Sequence, residues 1–460
     1  MDTDTSDLYS RPSKQSLQDT FVRRHLKDVS SPAAVLDRAI VRRNCQRMLQ
    51  ACESLDLKFR AHVKTHKTTE VTRLQVGDSS STARIVVSTL AEAEYLTGSR
   101  HEWLDDNREL NILYGVPLPP SQAMRLGYLG KTLGRGGLSV LIDHVDQLDA
   151  ICTIRAISGH TVNLFVKIDT GYQRAGVKPD SVQLKSIIDR VQSALEPHLT
   201  ANLCGLYSHA GHSYYLSSRY NSMWQLQEEL EDLEHAGATI DEIYRRRGQP
   251  NRRFILSVGA TPTATSIQGL QDNADDDGVH QRQAEGFRRY IEDLAIHREI
   301  EVHAGVYPIL DLQQLDTRIN RRVPSPNGQL STADLALTIL AEVVSIYPER
   351  GEALIAAGTL ALGREPCNSY SGWGRISPWN TTSAETGWMI DRISQEHSIL
   401  SKDRGAAKPA ELHVGQKVRI WPNHACVAGA GFGWYLVVDS SLPENQRDIV
   451  VDVWMRCRGW

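Results

Sequence analysis

Eight short runs rich in β-branched and apolar residues recur through the first part of the chain, at 57–63, 84–88, 111–115, 139–143, 163–169, 203–209, 253–259 and 301–305. Most are followed by a segment with helical spacing. In 218–235, Met223, Leu226, Leu230 and Leu233 share one helical face and acids occupy the other. A further helical pattern, 41–55, precedes the first run. Strands that alternate with helices build a parallel sheet, and eight such units predict a (β/α)₈ barrel. No dinucleotide-type glycine fingerprint follows the first run, which argues against an open Rossmann sheet.

The rhythm changes after about residue 315. Residues 318–332 are polar and carry Pro324, Pro326 and Gly328, the composition of a linker or surface loop. Strand-like runs then appear at 335–347, 353–357, 417–421, 434–438 and 449–455, mostly separated by long loops. They predict a second, all-β domain. The expected organisation is a flexible polar segment over 1–28, a barrel over 29–315 and a β-domain over 316–460. The acidic run 272–278 predicts a solvated surface insertion.

Bulk properties narrow the function. The chain has 460 residues, 41% hydrophobic and 23% charged, and a formal charge of −4, as in soluble globular proteins. That balance offers no basic face for nucleic acid or anionic membranes. The longer apolar stretches, such as 333–347, are interrupted by polar residues and too short to span a bilayer. Met1-Asp2-Thr3-Asp4-Thr5 lacks the basic and apolar regions of a secretory signal, and its acids disfavour a mitochondrial presequence. Seven cysteines without CxxC pairs predict free thiols and a reducing, cytoplasmic location.

The chemistry gathers at the ends of the predicted strands, the catalytic face of such barrels. Lys64 closes the first strand in Arg60-Ala61-His62-Val63-Lys64-Thr65-His66-Lys67. An amine there can form an imine with an aldehyde cofactor, and His62, His66 and Lys67 are expected to favour its neutral form as cationic neighbours. Alone, its default reading is a surface lysine in a basic turn. Strand 7 ends in Gly259-Ala260-Thr261-Pro262-Thr263 and strand 8 in Ala304-Gly305-Val306-Tyr307. Small residues let backbone N–H groups close on an anion, and phosphate sites in barrels favour these two loops. Strand 6 ends in Gly205-Leu206-Tyr207-Ser208-His209-Ala210-Gly211-His212-Ser213-Tyr214, whose rings can flank a flat cofactor. Arg174, after strand 5, can meet a phenolate or carboxylate, or simply brace its loop. In Pro422-Asn423-His424-Ala425-Cys426, strand alternation would put His424 and Cys426 on one face, where imidazole and thiolate suit Zn²⁺. Two ligands leave the remaining positions to water or substrate, and an isolated HxC is more often packing.

Together these segments resemble the eukaryotic D-serine dehydratases, alanine-racemase-like enzymes of pyridoxal 5′-phosphate (PLP) that also include the D-threonine aldolases. The run from Arg60 through Gln75 is similar to the cofactor-lysine segment, and Val87 through Glu94 to the second-strand segment. Gly205–Tyr214, Gly259–Thr263 and Pro422–Cys426 follow in family order over roughly residues 30 to 460. The resemblance implies a PLP-binding barrel with a C-terminal β-domain, paired as a homodimer, acting on a small D-amino acid. It makes Lys64 the Schiff-base lysine and base, and Tyr207, Tyr214, Thr261, Gly305 and Val306 cofactor contacts. His209 and Arg174 then lie beside the ring, and His424 and Cys426 hold zinc. The implied reaction is loss of water from D-serine, giving pyruvate and ammonia. Aldolases of the group carry HxD, so Cys426 favours the dehydratase. A D-threonine or 3-hydroxy-D-aspartate aldolase or dehydratase, a racemase, and a non-catalytic PLP carrier are the rival readings. Many relatives have Asn where Val306 stands, which removes a side-chain bond to phosphate. The loops at 268–286 and 365–410 look longer than the family core.

Overall fold

The computed structural model describes residues 12–216, 219–271, 278–317, 330–377, 386–403 and 409–460. The expected linker lies largely outside these residues, as do most of the acidic run and the extreme N-terminus.

Strand β1 (Ala33–Asp37) precedes the eight barrel strands: β2 (Lys58–His62), β3 (Thr82–Val87), β4 (Glu109–Pro117), β5 (Leu138–Ile142), β6 (Val162–Lys167), β7 (Ala201–Tyr207), β8 (Ile255–Val258) and β9 (Glu299–Ala304). All eight pair in parallel, and β2 closes the ring by pairing with β9. Each coincides with one of the β-rich runs, and helices such as Arg38–Ser54 and Arg219–Arg246 occupy the segments with helical spacing. Alternation along the strands puts Val86, Leu113, Leu141, Phe165 and Tyr207 in a separate cluster inside the barrel. Beside them is a buried polar set. Arg60 Nε lies 2.6 Å from Glu301 Oε1, and Ser257 Oγ donates to the same oxygen at 2.8 Å.

Two boundaries differ from expectation. Within 12–29, where the sequence predicts a polar flexible segment, Leu17 in helix Lys14–Phe21, Leu26 and Val29 are buried with Val450, Val453 and Met455. β1 belongs to the C-terminal sheet, pairing antiparallel with β10 (Leu337–Tyr347) and parallel with β16 (Trp434–Val438). It has no place in the barrel, whose β2 already has both neighbours. Asp37 ends β1 and caps the following helix, accepting from Ala39 N and Ile40 N.

The remaining strands of that sheet are β11 (Glu352–Ile355), β12 (Gly374–Ser377), β13 (Trp388–Ile393), β14 (Ser398–Lys402), β15 (Lys417–Pro422) and β17 (Asp452–Met455). Their order is β11-β14-β13-β12-β15-β10-β1-β16-β17, and β10 also pairs with β11, closing the first six into a small antiparallel barrel. β12, β13 and β14 fall in the stretch read as a long loop, because they are short and β13 is broken by a bulge between Ile390 and Arg392. No described helix is long and apolar enough to cross a membrane, and all seven cysteines are free.

Candidate active site

A cavity of about 580 Å³ opens at the C-terminal ends of the barrel strands, and the turn after β15 forms its opposite wall. Lys64, Thr261, Gly305, Arg174, His424 and Cys426 all line it.

Lys64 follows the end of β2, where the chain turns sharply. Lys67 adopts a left-handed conformation (φ 54°) and its N–H returns to Val63 O at 2.9 Å. The turn is pinned from several sides. Lys67 Nζ pairs with Glu92 at 2.8 Å, and Lys67 O accepts from Cys457 N of the C-terminal domain at 2.8 Å. His66 is buried, its Nδ1 accepting from Thr68 N and its Nε2 2.7 Å from Gln75 Oε1. The structure corrects one expectation here. Burial pushes His66 down to about 3 and His62 well below the usual histidine range, so both are neutral. Lys67 is spent on Glu92. These neighbours brace Lys64 rather than surround it with charge.

The two phosphate-type loops press together. Gly259 has φ 134°, and a Cβ there would stand 2.4 Å from His303 O. A Cβ on Gly305 would stand 3.1 Å from His62 O. Only glycine fits the first, and it brings backbone close to the cavity. Thr261 Oγ1 accepts from Val306 N at 3.1 Å, so the Val306 N–H expected to face phosphate is engaged in tying the loops together.

On the cavity floor, His209 Nδ1 lies 2.9 Å from Gly259 O. A carbonyl only accepts, so Nδ1 carries the proton and Nε2 a lone pair. Tyr214 lines the wall, and burial raises its hydroxyl well above the usual tyrosine value. Arg174 sits over the Tyr172 ring at 5.1 Å. Tyr207 does not reach the cavity. It lies beneath, stacked on His303 with centroids 4.2 Å apart and planes within 6°. His303 was not anticipated from sequence; it does line the cavity, its Nδ1 3.1 Å from Ser257 Oγ. Its position two residues before Gly305 on β9, pointing with Glu301 into the barrel, was the available signal.

His424 and Cys426 are brought together by a strand-to-helix turn, not by strand alternation: β15 ends at Pro422, and His424 caps the short helix Ala425–Ala430. Asp311 Oδ2 accepts from Ala425 N at 2.8 Å, and Gln313 Oε1 accepts from His424 Nδ1. Cys426 Sγ is 3.1 Å from Thr65 Oγ1, one residue from Lys64. Burial opposes charge on both partners. Their mutual hydrogen bond and attraction outweigh it, raising His424 to about 9 and lowering the Cys426 thiol. Among the described residues no group of three or more His, Cys, Asp or Glu converges as a metal site. The sequence reading missed Asp311, Gln313 and Asp316, all on or beside helix Leu312–Asp316 just past β9.

These residues fit both expected groups. An amine, two glycine-containing loops and a floor of flat rings suit PLP; the buried His303 Nε2 has no partner in the protein. A hydrogen-bonded thiolate and imidazole suit Zn²⁺, which would replace the proton they share.

A family model described as the N-terminal domain of alanine racemase matches residues 36–305, and one described as a putative serine dehydratase domain matches 336–438. D-serine dehydratase of Schizosaccharomyces pombe is 34% identical over 470 residues, covering 100% of this chain and 99% of that one. The solved D-threo-3-hydroxyaspartate dehydratase of Delftia sp. HT23 is 27% identical with a TM-score of 0.72, covering 95% of this chain and 100% of that one. A cysteine-to-alanine variant of that enzyme, in the metal-free form, gives 27% identity and a TM-score of 0.71 over 95% and 100% of the two chains.

Proposed function

Because the chain belongs to the alanine-racemase-like family of D-serine dehydratases, we propose that it is a PLP- and zinc-dependent lyase converting D-serine to pyruvate and ammonia. One observation carries this reading: Lys64 of the barrel and the His424–Cys426 pair of the β-domain wall the same cavity. When bound, PLP spreads the charge left at Cα on loss of its proton, and Zn²⁺ takes up charge on the departing hydroxyl oxygen.

The protein's own groups divide the remaining work. Lys64 Nζ would hold the cofactor and, as a free amine, would serve as the base for the Cα proton. Thr261 and the backbone of Gly259–Thr261 and Gly305 would hold the phosphate, while the Val306 N–H ties the two loops together. His209 and Tyr214 flank the ring, and Arg174 meets its phenolate oxygen or the substrate carboxylate. Tyr207 acts indirectly, supporting His303 from beneath. His424 donates from Nδ1 to Gln313, which leaves its Nε2 lone pair for the metal beside Cys426. The metal-free form of the Delftia enzyme supports a metal-dependent reading. The free thiols support a cytoplasmic setting, and the family resemblance supports a homodimer.

Lys64→Ala should lose the absorption of bound cofactor and at least roughly a thousandfold in turnover. Chelation should stop elimination while PLP stays bound, and zinc should restore it. Turnover by Lys64→Ala, or full activity without metal, would refute the corresponding half. Glycine and an aldehyde as products would identify an aldolase instead.

A further inference from the structure

The cavity wall formed by helix Leu312–Asp316 carries a fixed negative charge with no part in the mechanism above. Asp311 caps this helix, accepting from Gln314 N at 2.9 Å, and its other oxygen accepts from Ala425 N. The helix is thereby docked on the turn that presents His424 and Cys426. Gln313 reinforces the junction through His424 Nδ1 and by donating from Nε2 to Pro366 O at 2.8 Å. Asp316 stands three residues after Gln313, hence on the same side of the helix one turn along. It lines the cavity with Gln313. Its Oδ2 accepts from Ser369 N at 2.9 Å and from Cys367 Sγ at 2.8 Å, so the carboxylate is held in place.

Charge is distributed unevenly around this space. Lys64 and Arg174 line the barrel side. The metal-pair side carries the Asp316 carboxylate at the wall, held there by Ser369 and Cys367. A substrate whose Cα carboxylate turns to Arg174 directs its Cβ hydroxyl to the metal pair. A second carboxylate on Cβ would then meet Asp316.

We infer that Asp316 is a specificity-determining residue that selects β-hydroxy D-amino acids with an uncharged Cβ, the D-serine type, and rejects those bearing a carboxylate on Cβ, the 3-hydroxyaspartate type. Like charges facing one another across a partly desolvated site discriminate by repulsion rather than by added contacts. The inference rests on the dehydratase reading, and its test separates the two.

The zinc- and PLP-loaded enzyme is assayed for 2-oxo acid formation from D-serine and from D-threo-3-hydroxyaspartate, and kcat/KM is compared. The wild type should favour D-serine. Asp316→Asn and Asp316→Ser should each raise the hydroxyaspartate-to-D-serine ratio at least about tenfold, mainly through a lower KM for hydroxyaspartate. Asp316→Glu, which keeps the charge, should leave the ratio low. Bound-cofactor absorbance at the wild-type level certifies the folded site. A wild type that prefers hydroxyaspartate or treats both alike overturns the inference, as does an unchanged or falling ratio in the neutral variants, while leaving the dehydratase reading intact. No 2-oxo acid from either substrate overturns the dehydratase reading and the inference together.

Discussion

Gln313 shows how one neutral side chain can hold the imidazole of the proposed zinc pair. Its amide oxygen accepts from His424 Nδ1, and its amide nitrogen donates to Pro366 O, so the amide cannot turn without losing both bonds. The imidazole is thereby held in the tautomer that offers Nε2. Outer partners of this kind are worth about ten- to a hundredfold in metal affinity. Gln313→Leu should therefore bind zinc ten- to a hundredfold more weakly, measured by competition with a chromogenic chelator, with PLP content unchanged. Retention of wild-type affinity would mean that Asp311 alone positions the turn.

At the scale of elements, the segment from β2 into helix Thr69–Val76 positions Lys64. Thr68 is fully buried and caps the helix, its Oγ1 accepting from Val71 N at 3.3 Å, while its own N–H donates to His66. Thr68→Ala should cost about 1 kcal/mol of unfolding free energy in urea. The barrel strands were legible in the sequence because buried parallel strands read as near-continuous apolar runs between helical patterns. The β-domain was only half legible. β10, β15 and β16 are dense in Val, Ile and Leu, whereas β12 is a four-residue Gly-Arg-Ile-Ser and β13 carries Asp391 and Arg392 at its bulge. The site followed the same divide. Lys64, Thr261 and Gly305 were legible because strand ends locate them. His303 was hidden because a lone histidine within a strand resembles any core histidine. Asp316 was hidden because its meaning depends on Ser369 and Cys367, more than fifty residues away.

For the whole molecule, four histidines in and beside the cavity, His66 and His303 buried and His62 and His209 half-buried, set the response to acid. Burial drives His66 to about 3 and holds His62, His209 and His303 well below the usual value; nearby cations add to the effect. Below about pH 6.5 the unfolded chain takes up protons at these positions that the folded chain refuses, so stability falls as pH falls toward the depressed folded values. Each group contributes up to about 1.4 kcal/mol per pH unit across its window. Unfolding midpoints measured from about pH 7.5 to about pH 5.5 should drop, and His66→Gln should flatten the decline. In the metal-free protein His424 acts in the opposite sense: its contribution is complete below about pH 6.5 and is lost as pH rises toward 9.

The placement of β1 bears on how the protein is made. Its partners β10 and β16 begin at residues 337 and 434, so Ala33–Asp37 leaves the ribosome long before anything exists to pair with it. At about 5–20 residues per second, it waits roughly 20–80 s for β16. Until β10 is made, after roughly 15–60 s, the nascent chain carries an apolar strand with both edges open, and one edge stays open until β16 follows, by which time the barrel can already close. We expect this interval to be the point at which newly made chains depend on chaperones and misassociate, because the finished fold offers β1 no other place.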